Sequence, residues 1–533
     1  MRSLTVTNAN GQSLTSGPIL GIGTFWGKNA NDSFGQGAAG VGDVNGDGFD
    51  DVVVTAAGAT VNGIIQAGVA YLYLGQPNGL ASVPAWTYSG AQAYEKFGED
   101  VRGLGDINHD GFADIAIGSD VETAADDTVG HGKVTIILGS ISGLQPQPHV
   151  VLTDTVDPTD SRFGAREHTI AAGDFNGDGW IDLVIGAETF SNGAGQASEG
   201  AVHLYLSQGG NFASTPSRTW ESNQGNSRLG RFLSMADVNR DGYADVIAAM
   251  HAFDVVPCAE PTNGCNQGRL VAYLGRPGSP PTTFAWNNSS PVQTLATLGY
   301  GVSAGDIDGD GFPEIAAGAP LWDQSNLPDC GTLVIYKGSQ NLATTPLQTI
   351  TGPFAGDRFG GSLAFVGDMD SDGFGELAVS AQAAEAGRGR VVVFRGSPTG
   401  LLPSPLMTFV GDVGAAWGQT LSAAGDVDGD SKPDWLIGSS DADTRGQSSG
   451  AVSIVLSSVN QLCDSIDFNN DTSLFDPQDI DAFLSVYSEG PCIPASATCN
   501  DIDFNNDGSL FDPCDIDAFL LVFSEGPCTL CGQ

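Results

Sequence analysis

The sequence predicts an all-β chain folded as a seven-bladed β-propeller closed by an N-terminal strand, followed by a small C-terminal α-helical domain with two acidic loops of its own. Three observations carry this. An acidic nine-residue loop recurs seven times, short β-rich apolar runs surround every copy, and the C-terminal segment is an internal duplication. Tandem recurrence of one supersecondary unit is the signature of a repeat architecture.

The first copy of the loop reads Asp43-Val44-Asn45-Gly46-Asp47-Gly48-Phe49-Asp50-Asp51, and later copies begin at Asp106, Asp174, Asp237, Asp306, Asp368 and Asp426. Ahead of each stands an aromatic residue or Leu followed by Gly: Phe34-Gly35, Phe97-Gly98, Phe163-Gly164, Leu229-Gly230, Leu298-Gly299, Phe359-Gly360 and Trp417-Gly418. After each loop comes an apolar run such as Val52-Val53-Val54 or Leu183-Val184-Ile185, and later a run such as Val69-Ala70-Tyr71-Leu72-Tyr73. These are too short and too rich in β-branched and aromatic residues for helices. A turn such as Gln76-Pro77-Asn78-Gly79 leads to a last run such as Trp86-Thr87-Tyr88. Each unit reads as four antiparallel strands, and seven such units suit a closed propeller, which protects its sheet edges.

The seventh unit stops after its third strand, Ala451-Val452-Ser453-Ile454-Val455-Leu456, and the N-terminus supplies the missing fourth. Thr24-Phe25-Trp26-Gly27 precedes Phe34-Gly35 just as Thr87-Tyr88-Ser89-Gly90 precedes Phe97-Gly98. Upstream, Leu4-Thr5-Val6-Thr7 and Asn10-Gly11 read as the end of a third strand and its turn, as if the chain began inside a truncated unit. The propeller is assigned to residues 1–459 and the tail to residues 460–533.

Every loop places oxygen-bearing side chains at positions 1, 3, 5 and 9. They are Asp43, Asn45, Asp47 and Asp51; Asp106, Asn108, Asp110 and Asp114; Asp174, Asn176, Asp178 and Asp182; Asp237, Asn239, Asp241 and Asp245. The last three copies supply Asp306, Asp308, Asp310 and Glu314; Asp368, Asp370, Asp372 and Glu376; and Asp426, Asp428, Asp430 and Asp434. Alternating hard oxygen donors on a tight loop suit Ca²⁺, which takes six to eight oxygens in flexible geometry, so up to seven Ca²⁺ are expected. For one copy alone, an Asx-turn hairpin without metal is the alternative. Four carboxylates in the fifth copy against three in the second predict tighter binding there. The seventh copy departs most from the pattern, with Ser431 for the position-6 Gly and Lys432 inside the loop.

The aromatic-Gly pairs, the Asp-x-Asn/Asp-x-Asp-Gly-x-x-Asp/Glu loop and Gly318-Ala319-Pro320 resemble the FG-GAP repeats of the integrin alpha-subunit propeller, over residues 19–457. The loops connect first to second strands and fall on one face. Ligand binding is therefore expected on the opposite, ion-free face, whose loops vary in length. Its longest loop carries Phe253 and a cysteine pair, Cys258 and Cys265, that would close a local disulfide. Trp322 is a second aromatic candidate there. The alternative for both Phe253 and Trp322 is that they pack beneath their own loops.

In the tail, Cys463 to Cys492 repeats as Cys499 to Cys528. Each half has an acidic loop, with candidate ligands Asp467, Asn469, Asp471 and Asp479, then Asp503, Asn505, Asp507 and Asp515. Asp476-Pro477 and Asp512-Pro513 are helix starts, followed by Ile480, Phe483, Leu484, Tyr487 and by Ile516, Phe519, Leu520, Phe523 at helical spacing. With Gly490-Pro491-Cys492 and Gly526-Pro527-Cys528, this resembles a dockerin domain of the planctomycete Gly-Pro-Cys type. The resemblance implies two further Ca²⁺ and a cohesin-like partner. The chain departs from the family pattern in placing the late loop acid one residue on, at Asp479 and Asp515.

With 63 acidic residues against 20 Lys and Arg in 533, the net charge is −43, which excludes nucleic acid as a partner. No run is apolar enough for a transmembrane segment, and no export signal stands at the start. Nine cysteines, six of them beyond residue 460, nevertheless fit an oxidising compartment, so an extracellular or cell-surface location is expected. The six histidines form no metal-protease motif, and Gly446-Gln447-Ser448-Ser449-Gly450 lies in a loop between two strands rather than at a strand-to-helix elbow. The expectation is a non-enzymatic calcium propeller that recognises a protein or glycan, tethered by its tail. The alternatives are a propeller polysaccharide lyase or hydrolase and a purely structural envelope protein.

Overall fold

The computed structural model describes residues 5–8, 19–121, 131–157, 161–193, 196–255, 265–289, 293–411, 414–442 and 447–457. These form seven four-stranded antiparallel blades. The one helical element among the described residues is the single turn Ala384–Gly387. The first strands of the blades are Phe34–Gly42, Phe97–Gly105, Ile170–Gly173, Leu233–Ala236, Gly301–Gly305, Phe359–Gly367 and Thr420–Gly425. Each packs against the next in a closed ring, the seventh meeting the first.

Closure follows the predicted route. Blade 7 consists of Thr420–Gly425, Asp434–Ser439 and Ala451–Ser457, completed by the N-terminal strand Ile19–Trp26, with Phe25 opposite Val452 and Trp26 opposite Ala451. Thr5–Asn8 differs from expectation. It is not the end of a third strand in a truncated unit but a fifth strand on the outer edge of blade 6, antiparallel to Pro405–Val410. A blade's outer strand offers a row of free backbone donors and acceptors, and any extended segment within reach can pair with it.

The second strands, among them Asp51–Ala56, Asp182–Ala187 and Glu314–Ala319, are buried along their whole length. Each blade is sandwiched between two others, so its second strand loses water on both sides. That is why it reads as a continuous apolar run instead of an alternating one.

Neighbouring blades meet through the aromatic-Gly pairs. Gly331, which opens the third strand of blade 5, sits at φ +77° and bridges to Phe359 of blade 6. A Cβ on Gly331 would stand 2.1 Å from the Phe359 carbonyl oxygen. The same bridge joins Gly200 to Leu229, Gly268 to Leu298 and Gly450 to Phe34. Gly331→Ala is therefore expected to cost about 2–4 kcal/mol, from left-handed backbone strain plus overpacking. A fall in the urea midpoint at constant slope would register it; an unchanged midpoint would mean that the gap between blades relaxes freely.

The duplicated tail, including Asp467, Asn469, Asp471, Asp479, Asp503, Asn505, Asp507, Asp515 and the six late cysteines, lies outside the described residues, as do Cys258 and Gly446.

Candidate functional site

All seven acidic loops join a first strand to a second strand, so they gather at one face. In blade 1, Asp43 Oδ1 accepts the N–H groups of Gly46 at 2.6 Å and Asp47 at 3.1 Å, and its Oδ2 that of Gly48 at 2.8 Å. Asn45 Oδ1 accepts from Asp47 N at 2.9 Å, and Asp47 Oδ1 from Phe49 N at 3.1 Å. Each short acidic side chain folds back onto backbone just ahead of it, a nest of Asx turns. The seventh loop keeps this geometry despite its altered residues. Ser431 adopts φ +67° in place of the Gly, and its N–H reaches Asp426 Oδ2 at 2.7 Å.

The turns also bring acid groups together. Carboxylate oxygens of Asp306, Asp308 and Glu314 lie within 4.8 Å of one another, as do those of Asp368, Asp370 and Glu376 and those of Asp426, Asp428 and Asp434. Asp370 Oδ1 is buried and accepts no hydrogen bond. Such a donor set, all hard oxygen and closely spaced, fits a divalent ion of the Ca²⁺ kind.

The position-9 acids have a second task. Asp51 is fully buried, and its two oxygens accept the N–H of Val44 at 3.0 Å and of Gly75 at 2.9 Å. It thereby ties the start of the loop to the end of the third strand. Asp114, Asp182, Asp245 and Asp434 make the equivalent pair of bonds. Burial, and less strongly the neighbouring loop carboxylates, push these groups up against the pull of their N–H partners. Asp114 rises to about 6, Asp51, Asp182, Asp245 and Glu314 to about 7, and Glu376 and Asp434 to about 8.

Positions 3 and 5 hold a feature that the sequence reading missed. In blades 1 to 4 the position-3 Asn donates its amide N–H to the position-5 carboxylate, at 2.8 Å from Asn45 to Asp47 and 3.0 Å from Asn108, Asn176 and Asn239 to Asp110, Asp178 and Asp241. Blades 5 and 6 have Asp308 and Asp370 at position 3, and a cation bridges the two acids instead. Lys337 Nζ stands 2.5 Å from Asp308 Oδ2 and 2.8 Å from Asp310 Oδ2. Arg395 pairs with Asp370 and reaches Asp372 at 3.8 Å. The fourth carboxylate, read from sequence as a source of tighter binding, is thus accompanied by a compensating charge. The signal was present in the sequence: Lys337-Gly338 and Arg395-Gly396 stand where the first four units have Leu74, Leu138, Leu206 and Leu274.

The loops interlock around the ring. Trp180 of the third loop stacks on His109 of the second at 4.0 Å, and Arg240 of the fourth lies over Phe312 of the fifth at 5.6 Å. Asp50 N–H donates to the Asp426 carbonyl at 2.9 Å, which latches blade 1 to blade 7.

On the other face the described residues carry a second charged site, unforeseen in the sequence. Arg162 and Arg166 flank Phe163-Gly164, Arg228 and Arg231 flank Leu229-Gly230, and all four converge on Glu188, whose side chain is 1% exposed. Arg231 donates to both Glu188 oxygens at 3.1 and 3.3 Å, while Arg166, Arg228 and Arg162 approach at 3.6, 3.8 and 4.0 Å. Arg231 lies against the rings of Phe232 and Tyr300. Burial alone would raise the Glu188 carboxyl, but the guanidiniums of Arg231, Arg166 and Arg228 together hold it below the usual range. Nearby, a cavity of about 250 Å³ on the axis is lined by the first strands, with Arg102 and His168 among its residues. Phe253 is 9% exposed with Arg269 over its ring at 3.8 Å, and Trp322 is half-buried against the core between blades 4 and 5.

The family comparison decides what these repeats are. An FG-GAP repeat model matches residues 34–73, 298–336, 359–394 and 417–455, and an FG-GAP-like repeat model matches residues 174–248. The propeller is built from FG-GAP repeats at these residues. Among relatives, integrin alpha-5 of Xenopus laevis is 33% identical over 30% of this chain and 16% of its own length. Integrin alpha-V of Gallus gallus is 30% identical over 41% of this chain and 20% of its own. Phosphatidylinositol-glycan-specific phospholipase D of Bos taurus is 28% identical over 66% of this chain and 45% of its own. The FG-GAP propeller thus spans less than half the length of each of these relatives. The solved structure of Saccharomyces cerevisiae Sqt1 aligns at 12% identity with a TM-score of 0.43, over 84% of this chain and 100% of that one. Among the described residues no helix is long and apolar enough to cross a membrane.

Proposed function

We propose that this FG-GAP propeller is a non-enzymatic, extracellular or cell-surface recognition module whose strand-joining loops hold up to seven Ca²⁺, with Asp, Asn and Glu residues at positions 1, 3, 5 and 9 as ligands. The observation that carries the reading is the division of labour between the two faces. One face is occupied by seven interlocked acidic loops, which an ion would rigidify. The other bears the arginine cluster around Glu188, in a chain whose net charge is −43. Guanidiniums are planar donors suited to carboxylate and sulfate groups, so the ligand is an acidic peptide or acidic glycan. Residues 1–459 form the propeller in this reading. Residues 460–533 form a dockerin-like tail that binds two more Ca²⁺ and docks a cohesin-like partner; its internal duplication supports this.

The relation to a phospholipase keeps a second reading alive, in which the propeller serves an enzyme. Arrays of neutral and acidic glycans and peptides, probed with the full chain in Ca²⁺ and in chelator, test the proposal. Retention on acidic members in Ca²⁺, lost with chelator and weakened by Arg228→Ala, is the expected outcome. Cleavage of an arrayed substrate would favour the enzyme reading, and equal retention on neutral members would remove the arginine cluster from the account.

A further inference from the structure

We propose that Lys337 and Arg395 are built-in counter-cations that offset the extra position-3 carboxylate of the fifth and sixth loops, so that positions 1, 3, 5 and 9 with their bridging residue present an ion with the same net charge there as in the first four. This rests on the Ca²⁺ reading of the loops. The donor between positions 3 and 5 changes its chemistry from blade to blade but not its place. An Asn amide supplies it in four blades, at 2.8 to 3.0 Å from the position-5 carboxylate. An ammonium or guanidinium from the end of the third strand supplies it in two.

The two residues vary together within this one chain. Asn45, Asn108, Asn176 and Asn239 go with Leu74, Leu138, Leu206 and Leu274, whereas Asp308 goes with Lys337 and Asp370 with Arg395. The swap conserves charge, because each Asn that becomes Asp gains one negative charge and each Leu that becomes Lys or Arg gains one positive. A repeat can then carry either pair and present the ion with the same field.

Blade 7 breaks the pairing. It has Asp428 at position 3 and Leu456 at the end of its third strand, where blades 5 and 6 have Lys337 and Arg395. Lys432 occupies position 7, whose side chain in the other blades turns toward a neighbouring loop, as Trp180 does toward His109. Blade 7 is also the closing blade. Asp434 of its loop accepts the N–H of Ser457, whose strand pairs with the N-terminal Ile19–Trp26. An ion held there bears on closure of the ring, and one lost from blade 5 or 6 leaves a loop still bridged by its own cation.

The inference is tested by Tb³⁺ luminescence in the full chain. Trp180 stands at position 7 of the third loop, a donor position for a bound lanthanide. Trp180→Phe silences that site, and Phe312→Trp moves the donor to blade 5. In this background Ca²⁺ is titrated against Tb³⁺. Removing a unit positive charge a few ångströms from a divalent ion is worth about tenfold in affinity even at the dielectric of water. Lys337→Leu is therefore expected to lower the competing Ca²⁺ concentration about tenfold. The double variant Asp308→Asn/Lys337→Leu, which copies the first four blades, is expected to return it to within about threefold of the parent. No tightening with Lys337→Leu, or equal tightening in the double variant, overturns the proposal. A parent that shows no Ca²⁺-displaceable signal would instead remove the calcium reading, and this inference with it.

Discussion

Chelating this FG-GAP propeller at about pH 8 is expected to lower its melting temperature by roughly 10 °C, and far less at about pH 5.5. Each loop filled at a hundredfold excess over its Kd stabilises the fold by about 2.7 kcal/mol, so three such loops contribute about 8 kcal/mol. A domain of this size loses on the order of 1 °C per kcal/mol.

The pH dependence follows from the position-9 acids. Burial raises them in the folded chain to between about 6 and about 8. An unfolded Asp or Glu titrates near 4. A folded pKa above the unfolded one gives stability that is fully present below the unfolded value and is lost as pH rises through the folded value. The ion-free propeller therefore weakens progressively from about pH 4 up to about pH 8, by which point the last of these groups has ionised. Ca²⁺ binds the ionised form and replaces the proton, so the gap between Ca²⁺ and chelator widens over the same range. Calorimetry at both pH values, with Ca²⁺ and with chelator, measures that gap. A gap independent of pH would mean that position 9 serves the blade alone and does not face an ion.

The second large effect is expected at Glu188. Glu188→Gln should destabilise the propeller by about 3–5 kcal/mol, because it removes the buried anion on which four guanidiniums converge, and of these Arg166 keeps Asp120 at 3.7 Å. Arg228→Ala should cost about 1 kcal/mol or less, since the Arg228 side chain is 46% exposed and stands 3.8 Å from Glu188. Denaturant titration of the two variants separates them. Equal small losses would show that water already shields the cluster. Stabilisation of the Glu188→Gln variant by added sulfate would link the same guanidiniums to anion binding, because an anion that binds only the folded state raises its stability.

The blade order, the acidic loops and the closing strand were legible because each rests on residues near one another in sequence or on a period repeated seven times. Asp43 bonds to backbone within five residues of itself, so its loop is written almost entirely in its own nine letters. The aromatic-Gly pairs were legible as punctuation, but not as the contact between blades that Gly331 and Phe359 reveal. Thr5–Asn8 was misread because a lone edge strand carries no mark of the edge it will join.

What the sequence by itself determined is the repeat, its strand pattern and the oxygen donors of the loops, since local hydrogen bonding and alternating burial leave a periodic trace. The tertiary structure alone decided which distant charges meet. Lys337 is 29 residues from Asp308, and Arg231 is 43 from Glu188. Only the stacking of strands and blades brings such pairs to ion-pair distance, where burial strengthens an interaction that water would otherwise screen.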